Sequence, residues 1–325
     1  MTRVSVAMAT YNGAAFLVEQ LASIAAQSRP PDELVVGDDG SGDGTLACLA
    51  DFAARAPFPV LVEVNRARLG VAGNFFATIG RCSGDLILLS DQDDVWRPDK
   101  LARVVAHFAG HPRCLMATHD AAIVDGRGRS TGRTLGGQIA AAGGRPARDL
   151  VAGCCMAIDA RLARAAQPPP LTETHDAWLA QLADLVGLRD HLDQSLIDYR
   201  RHGANVSHSY MSRSGRADRL ARFLDRTRKA RATPPRPALR ASLASNAALR
   251  DALGRHRAMF AREAGREAVA AAEATLDARM ERDSRRLRVH EAEGRARLPA
   301  LAAAWRAGDY RGRDGALSLV RDLIG

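Results

Sequence analysis

Three carboxylates, Asp91, Asp93 and Asp94, fall directly after the apolar run Leu86-Ile87-Leu88-Leu89-Ser90. A buried strand has no packing use for such a cluster, and like charges this close repel unless a cation lies between them. Hard oxygen donors of this kind suit Mg²⁺ or Mn²⁺, commonly shared with substrate phosphates. Two further polar clusters also follow short apolar runs: Thr10-Tyr11-Asn12 after residues 4–8, and Asp38-Asp39-Gly40-Ser41 after residues 34–36. All three would converge at the carboxyl ends of strands in one sheet, where α/β folds bind ligands. Metal-assisted chemistry on a phosphorylated small molecule is the reading they favour. Structural uses compete with it. Asp94 or Asp99 could complement a helix N-terminus, worth a few tenths to ~1 kcal/mol, and Asp38-Asp39 could form an Asx turn. Neither use accounts for Asp91 at a strand end.

The elements that must position these residues follow from periodicity. Residues 4–8, 34–36, 60–64 and 86–90 read as strands, while Phe16, Leu17, Leu21 and Ile24 recur at helical spacing. Helices are expected over 45–55, 73–82 and from Pro98 to about Ala109. The alternation implies crossover connections and an α/β fold on a mostly parallel, Rossmann-like sheet. Residues 114–118 read as a strand ending at His119-Asp120, and Gly/Ala-rich 132–145 as a mobile loop. A strand over 151–158 and a rigid connector at Pro168-Pro169-Pro170 follow. Next come a helix from Asp176 to Val186 and a strand over 195–199 leading into Arg200-Arg201-His202-Gly203.

The 325 residues, 46% hydrophobic and 26% charged, allow one full α/β domain with an appendage. Charge divides the chain. Residues 1–210 hold 20 Lys and Arg against 23 Asp and Glu, and residues 211–325 hold 26 against 14, so the net +9 belongs to an Arg/Ala-rich helical tail. Such a tail fits an anionic partner (a membrane face, a nucleic acid or an acidic subunit) or a solvated helical surface. No apolar run approaches the ~20 residues of a membrane span, and residues 4–9 are too short for a signal peptide. Cys48, Cys82, Cys114, Cys154 and Cys155 show no CxxC pair or zinc spacing; reduced thiols in a cytoplasmic protein are the expectation.

Four segments, Ala9-Thr10-Tyr11-Asn12-Gly13, Asp38-Asp39-Gly40-Ser41, Asp91-Gln92-Asp93-Asp94-Val95-Trp96 and His175-Asp176-Ala177-Trp178, resemble the ordered motifs of family 2 glycosyltransferases. Their spacing is most similar to the bacterial rhamnosyltransferase-like branch, and the resemblance covers roughly residues 3–208. It implies a GT-A fold, a nucleotide-diphospho-sugar donor, a divalent metal (Mn²⁺ or Mg²⁺) and inversion at the anomeric carbon. Asp93 matches the metal-binding position of the Asp-x-Asp element, with Asp91 towards the donor ribose and shared with the metal. Asp39 resembles the residue that accepts from the imide N–H of uracil or thymine, an acceptor-only group reading a donor. Tyr11 would stack on that base, Asp38 would support the turn beside it, and Thr10 is a further contact. Arg66 or Arg68 would face the diphosphate, and Asn65, Gly70-Val71 and Asn74 resemble the nucleotide-side loop.

Asp176 matches the general base that deprotonates the acceptor hydroxyl, although the same carboxylate could cap the helix after it. Many relatives carry Glu-Asp at this point; His175 stands here instead, so Asp176 alone carries the base assignment. Tyr199-Arg200-Arg201-His202-Gly203-Ala204-Asn205 is similar to the segment closing the family's catalytic domain. There His202 is a candidate metal or diphosphate ligand, and Arg200 or Arg201 a source of charge for the pyrophosphate. Trp178 could stack on a sugar or pack in the core, and His119-Asp120 could line the donor-sugar pocket. The Gln-x-x-Arg-Trp element of processive synthases is absent.

The expectation is thus an inverting glycosyltransferase with a catalytic domain over 1–210 and a helical region over 211–325. It would move a sugar, L-rhamnose being one candidate, from a dTDP- or UDP-linked donor to a cell-surface glycan or lipid-linked oligosaccharide. It would be cytoplasmic, with 211–325 in peripheral contact with anionic membrane. A basic nucleic-acid-binding protein is a rival suggested by charge alone; the tail has few aromatics for stacking and no recognised motif, so no nucleic acid is expected. A sugar nucleotidyltransferase is a second rival, and Thr10-Tyr11-Asn12-Gly13 lacks its Gly-rich, basic loop.

Overall fold

Four short runs of apolar residues become the parallel half of a nine-stranded sheet: β1 (Val4–Thr10), β2 (Glu33–Asp38), β3 (Val60–Val64) and β4 (Leu86–Ser90), in the order β3-β2-β1-β4. The computed structural model describes residues 2–170, 173–203, 235–292, 294–311 and 315–324. β4 is buried at every residue and β1 at all but one, as expected for strands covered on both faces. Edge strand β3 is the most exposed of the four. Helices α1 (Ala14–Ala25), α2 (Thr45–Ala53) and α3 (Gly70–Ile79) make the crossovers, α1 burying Leu17, Leu21 and Ile24 along one stripe. The registers Thr10↔Asp38 and Met8↔Ser90 bring three strand ends level. That is the sheet edge to which the polar clusters were assigned.

The rest of the sheet comes from a different connectivity. β5 (Val95–Trp96) is followed by α4 (Lys100–Gly110), β6 (Met116–Asp125), β7 (Ser130–Thr134), α5 (Leu135–Ala141) and α6 (Pro146–Asp149). β8 (Met156–Asp159), α7 (Ala160–Ala165), α8 (His175–Leu185) and β9 (Arg189–Arg201) complete it. β8 inserts antiparallel between β4 and β6, β9 lies parallel to β6, and β5 and β7 pair antiparallel with β9 and β6. Parallel pairing covers the larger share of the registered residues. With helices flanking the curled sheet, this is the expected α/β class.

Two expectations are corrected here. Residues 132–145 are not a loop: they finish β7 and form α5, whose start is capped by Thr134 accepting from the Gly137 N–H. Leu135 is buried under that cap, an anchor sufficient to dock a Gly/Ala-rich helix. His119 and Asp120 do not end a strand but lie inside β6, where the pairing register shifts. Asp120 accepts from the Gly136 N–H at 2.7 Å, so its carboxylate holds α5. Trp178 is fully buried, its indole N–H donating to Ala166 O at 2.9 Å; it is core, not a sugar platform.

The chain divides into two compact units, the sheet unit and a helical unit made of the residues after 212. The expected boundary at 210/211 and the Asn205 end of the closing motif lie outside the described residues. The second unit contains α9 (Pro235–Arg255), α10 (Arg257–Ala264), α11 (Arg266–Glu291), α12 (Arg297–Arg306) and α13 (Gly315–Ile324). Beside an apolar interior that includes Leu249, Leu253, Phe260, Val269 and Leu276, it holds a buried ionic network: Asp322 receives both Arg286 Nε (2.7 Å) and Nη2 (2.9 Å), the His290 ring and the Tyr310 hydroxyl. Such a network tolerates no loss of a partner. Among the described residues no helix is long and apolar enough to cross a membrane.

Candidate active site

The turn after β2 separates the duties of its two carboxylates. Asp38 is fully buried and accepts from the N–H groups of Gly40 (3.1 Å) and Ser41 (2.8 Å), the Ser41 hydroxyl (2.6 Å) and the Thr10 hydroxyl (2.7 Å). Four donors fill a carboxylate's acceptor positions. Asp38, expected to support the turn beside the base-reading Asp39, and Thr10, expected as a nucleotide contact, therefore tie the ends of β1 and β2 together. Asp39 meets the loop before α3. Its Oδ1 accepts from Asn65 Nδ2 (3.1 Å) and the Leu69 N–H (2.7 Å), and its Oδ2 from the Gly70 N–H (2.8 Å). One acceptor position on Oδ2 is left, enough for a single donor such as an imide N–H.

Arg68 belongs to the same loop. Its Nε is 4.0 Å from Asp39 and its guanidinium lies 3.8 Å over the centre of the Tyr11 ring, a cation–π stack. Asn74 sits beneath, 2% exposed, accepting from Asn65 Nδ2 (2.9 Å) and donating to Gly37 O (2.8 Å). Its amide is thus used in placing Asn65 rather than in touching a ligand. A Cβ at Gly37 would lie 2.4 Å from Asn74 Oδ1, so only glycine admits this contact.

Gln92, which sequence reasoning passed over, couples this cluster to the acidic one. Its Oε1 accepts from the Tyr11 N–H (2.9 Å) and its Nε2 donates to the Tyr11 carbonyl (3.1 Å). A Cβ on Gly13 would lie 2.1 Å from that Oε1; the Gly after Tyr-Asn was the available signal. On the far side of Gln92, Asp93 Oδ2 lies 2.8 Å from His202 Nε2, and the His202 ring stacks on Phe16 with centroids 4.4 Å apart.

Arg200 departs from its expected role at the pyrophosphate. It is 4% exposed, and its guanidinium donates to Asp93 O (3.0 Å), Gly126 O (3.4 Å) and the Glu19 carboxylate. Its backbone N–H donates to Asp94 at 3.1 Å. Arg200 is a clamp under the acidic loop.

The charge of Asp176 is felt at that loop. Burial, and then the charges of Asp93 and Asp176, push Asp91 up to about 7. Asp94 is driven well above the usual carboxylate range by burial and by Asp91 and Asp93, and its Oδ2 has no hydrogen-bond partner among the described residues. Lys100, fully buried, donates from Nζ to Cys154 O (3.0 Å) and stands 3.8 Å over the Trp96 ring. Burial pulls it down to about 8. No sequence signal marked Lys100 or Cys154.

Asp176 lies in the first turn of α8. Its Oδ1 accepts from the Ala177 N–H (2.8 Å) and the Thr174 hydroxyl, and its Oδ2 has no donor among the described residues. A helix-end carboxylate with one oxygen fixed and the other open can accept a proton. Behind it, His175 is buried against Phe75, ring centroids 4.0 Å apart, with neither ring nitrogen hydrogen-bonded. Burial lowers it to about 4, so the neighbour of Asp176 stays neutral at physiological pH.

Asp93 with His202 offers a carboxylate and an imidazole, a fitting pair for Mn²⁺ or Mg²⁺ completed by substrate phosphates. The unpartnered Asp94 oxygen and the raised Asp91 both mark an excess of negative charge that a cation would relieve. The trio expected from sequence is not assembled, however. Among the described residues Asp91 groups with Asp94 and Cys154, donor atoms within 4.8 Å of one another, and not with Asp93 and His202.

Residues 5–160 match the family described as Glycosyl transferase family 2. An uncharacterized glycosyltransferase of Nostoc sp. is 33% identical over 106 residues, 33% of each chain. The dTDP-rhamnosyl transferase RfbG of Shigella flexneri is 35% identical over 102 residues, 30% of this chain and 35% of its own. The chain thus spans about a third of the length of these curated relatives. Among solved structures, S. aureus TarS 1–349 in complex with UDP-GlcNAc matches with a TM-score of 0.55 at 17% identity, over 94% of this chain and 81% of that one. The likeness is one of fold, and the fold is GT-A.

Proposed function

Since residues 5–160 belong to glycosyl transferase family 2, we propose that this chain is an inverting, metal-dependent glycosyltransferase. Its catalytic unit would span 1–210, with 211–325 as a helical appendage. The observation that supports this most is the field at Asp91, which is raised by both Asp93 and Asp176. This supports one site shared by the acceptor-side base and the donor-side acids. Asp39 Oδ2 reads the imide of a uracil or thymine, with Tyr11 and Arg68 flanking the base and diphosphate. When bound to Asp93 and His202, Mn²⁺ or Mg²⁺ supplies positive charge to the leaving diphosphate.

Asp176 Oδ2 takes the proton of the acceptor hydroxyl as its oxygen bonds to the anomeric carbon. The bond from that carbon to the phosphate oxygen breaks, and its electron pair leaves with the diphosphate. A single displacement inverts the centre. A dTDP- or UDP-sugar donor, with dTDP-L-rhamnose as the first candidate, draws support from the 35% identity with RfbG. The acceptor would be a cell-surface glycan or lipid-linked oligosaccharide, reached at the cytoplasmic membrane face by the basic appendage, each Lys or Arg near anionic lipid adding ~1 kcal/mol.

The test is a donor-hydrolysis screen over nucleotide sugars with Mn²⁺ and Mg²⁺. Turnover with one thymidine or uridine donor, abolished by EDTA and by Asp93→Ala together with donor binding, is the expected result. Turnover indifferent to both would overturn the metal-dependent reading. For the membrane contact, flotation with anionic vesicles should exceed flotation with neutral ones; equal behaviour refutes it.

A further inference from the structure

The last turn of α4 and the first residues of β9 bring together a second group of metal-ligating side chains, at the opposite end of β9 from His202. His107 and His111, spaced i and i+4, stack with ring centroids 4.2 Å apart. Asp190 on β9 reaches them, its Oδ2 3.1 Å from His107 Nε2. One donor atom from each of the three lies within 4.8 Å of the others. Separation along β9 from Asp190 to Arg200 is roughly 30 Å, so this group is remote from the acidic loop.

We propose that His107, His111 and Asp190 form a binding site for a transition-metal dication of the Zn²⁺ class, clipping the end of α4 to β9. The tautomer of His111 is fixed by its surroundings. Its Nδ1 lies 2.9 Å from the His107 carbonyl, which can only accept, so Nδ1 carries the proton and Nε2 presents a lone pair to solvent. His107 Nε2 donates to Asp190; a metal entering between them takes both atoms, with the proton moving to His107 Nδ1. Two imidazoles and a carboxylate, with water in the fourth position, make a tetrahedral zinc set; two nitrogens against a single protein oxygen suit Mg²⁺ poorly. Bonds of about 2.0–2.2 Å need donors about 3.3 Å apart, so the side chains close by modest rotations, and His111 is exposed enough to make them.

Cys114, three residues beyond His111, is 5% exposed and donates its S–H to the Met116 carbonyl at 3.1 Å. Its sulfur is thereby committed to the strand, and the proposed ligand set is the two imidazoles and the carboxylate.

The test uses the metal-stripped full chain and Zn²⁺ alone. Calorimetry should count a zinc equivalent at this site, and thermal unfolding should shift up by roughly 5–10 °C at a hundredfold excess over Kd. In His111→Ala, and in the bulkier His111→Gln, that equivalent and that shift should both vanish. Asp93→Ala should keep them, which separates this site from the donor site. Co²⁺ should give visible d–d bands without a thiolate charge-transfer band, lost in the His111 variants. No zinc-dependent shift in the parent chain, or unchanged zinc stoichiometry in both His111 variants, would overturn the proposal.

Discussion

Asp176→Asn is the sharpest test of the reaction geometry, because the substitution changes one atom of consequence. Oδ1, which receives the Ala177 N–H at 2.8 Å and the Thr174 hydroxyl, is an acceptor in asparagine as well, so the start of α8 should keep its cap. Oδ2 becomes an NH₂ group that cannot take a proton. A positioned general base is worth about 10²–10⁴-fold, equivalent to roughly 2.7–5.5 kcal/mol of barrier. The donor side should not suffer. Asp176 is one of the charges that raise Asp91, and its removal lets Asp91 ionise more readily. Donor affinity, measured by calorimetry in Mn²⁺, should therefore stay within about threefold, under 0.7 kcal/mol. Sugar transfer to acceptor, followed by release of the nucleoside diphosphate, should fall at least 100-fold. Transfer at a tenth of the parental rate or better would refute the base assignment. A collapse of donor affinity would refute the separation of donor and acceptor duties.

Gly13→Ala places a Cβ 2.1 Å from Gln92 Oε1 and must expel the amide from Tyr11; loss of those bonds, about 1–3 kcal/mol, should weaken donor binding about tenfold or more, read by calorimetry. Arg200→Met leaves the Asp93 and Gly126 carbonyls without their donor, at about 2–4 kcal/mol, seen as a thermal midpoint lowered by roughly 5–12 °C. His175 has its folded-state pKa lowered from 6.5 to about 4. The unfolded chain therefore binds a proton that the folded one refuses, and stability drops as pH falls from 6.5 towards 4. Relative to His175→Gln, the parent should lose up to about 3 kcal/mol across that window in denaturant titrations; parallel curves would contradict a buried, unpartnered imidazole.

Much of the fold was legible because β1, β2 and β4 are buried almost throughout and announce themselves as short apolar runs, with the β-branched edge strand β3 beside them. Polar residues at the ends of β1, β2 and β4 could be read as one edge for the same reason. The later half was harder. Residues 189–192 of β9 are mostly polar and only half-buried, so no alternation marks them as strand, yet they pair with β6, and 193–194 fall at a shift of register. α5 depends on one threonine cap and a single buried leucine. Within the site, Asp93 and His202, named from separate motifs, meet at 2.8 Å. Arg200 was misjudged because nothing local reveals that Asp93 O, Gly126 O and Glu19 await it. Lys100, Cys154 and Gln92 act through contacts 50 to 80 residues away in the chain, a distance at which periodicity is silent.

The paired bonds between the Gln92 amide and the Tyr11 peptide fasten the turn after β1 to the acidic loop after β4 as one plate. Neither can drift without the other. On the proposed reading, donor preference should then resist piecemeal grafting: transplanting the β1 loop of a relative without its partner at position 92 would displace Asp93 along with Gln92. Exchanging positions 11, 13 and 92 as a block is the smallest unit by which such a preference could be moved.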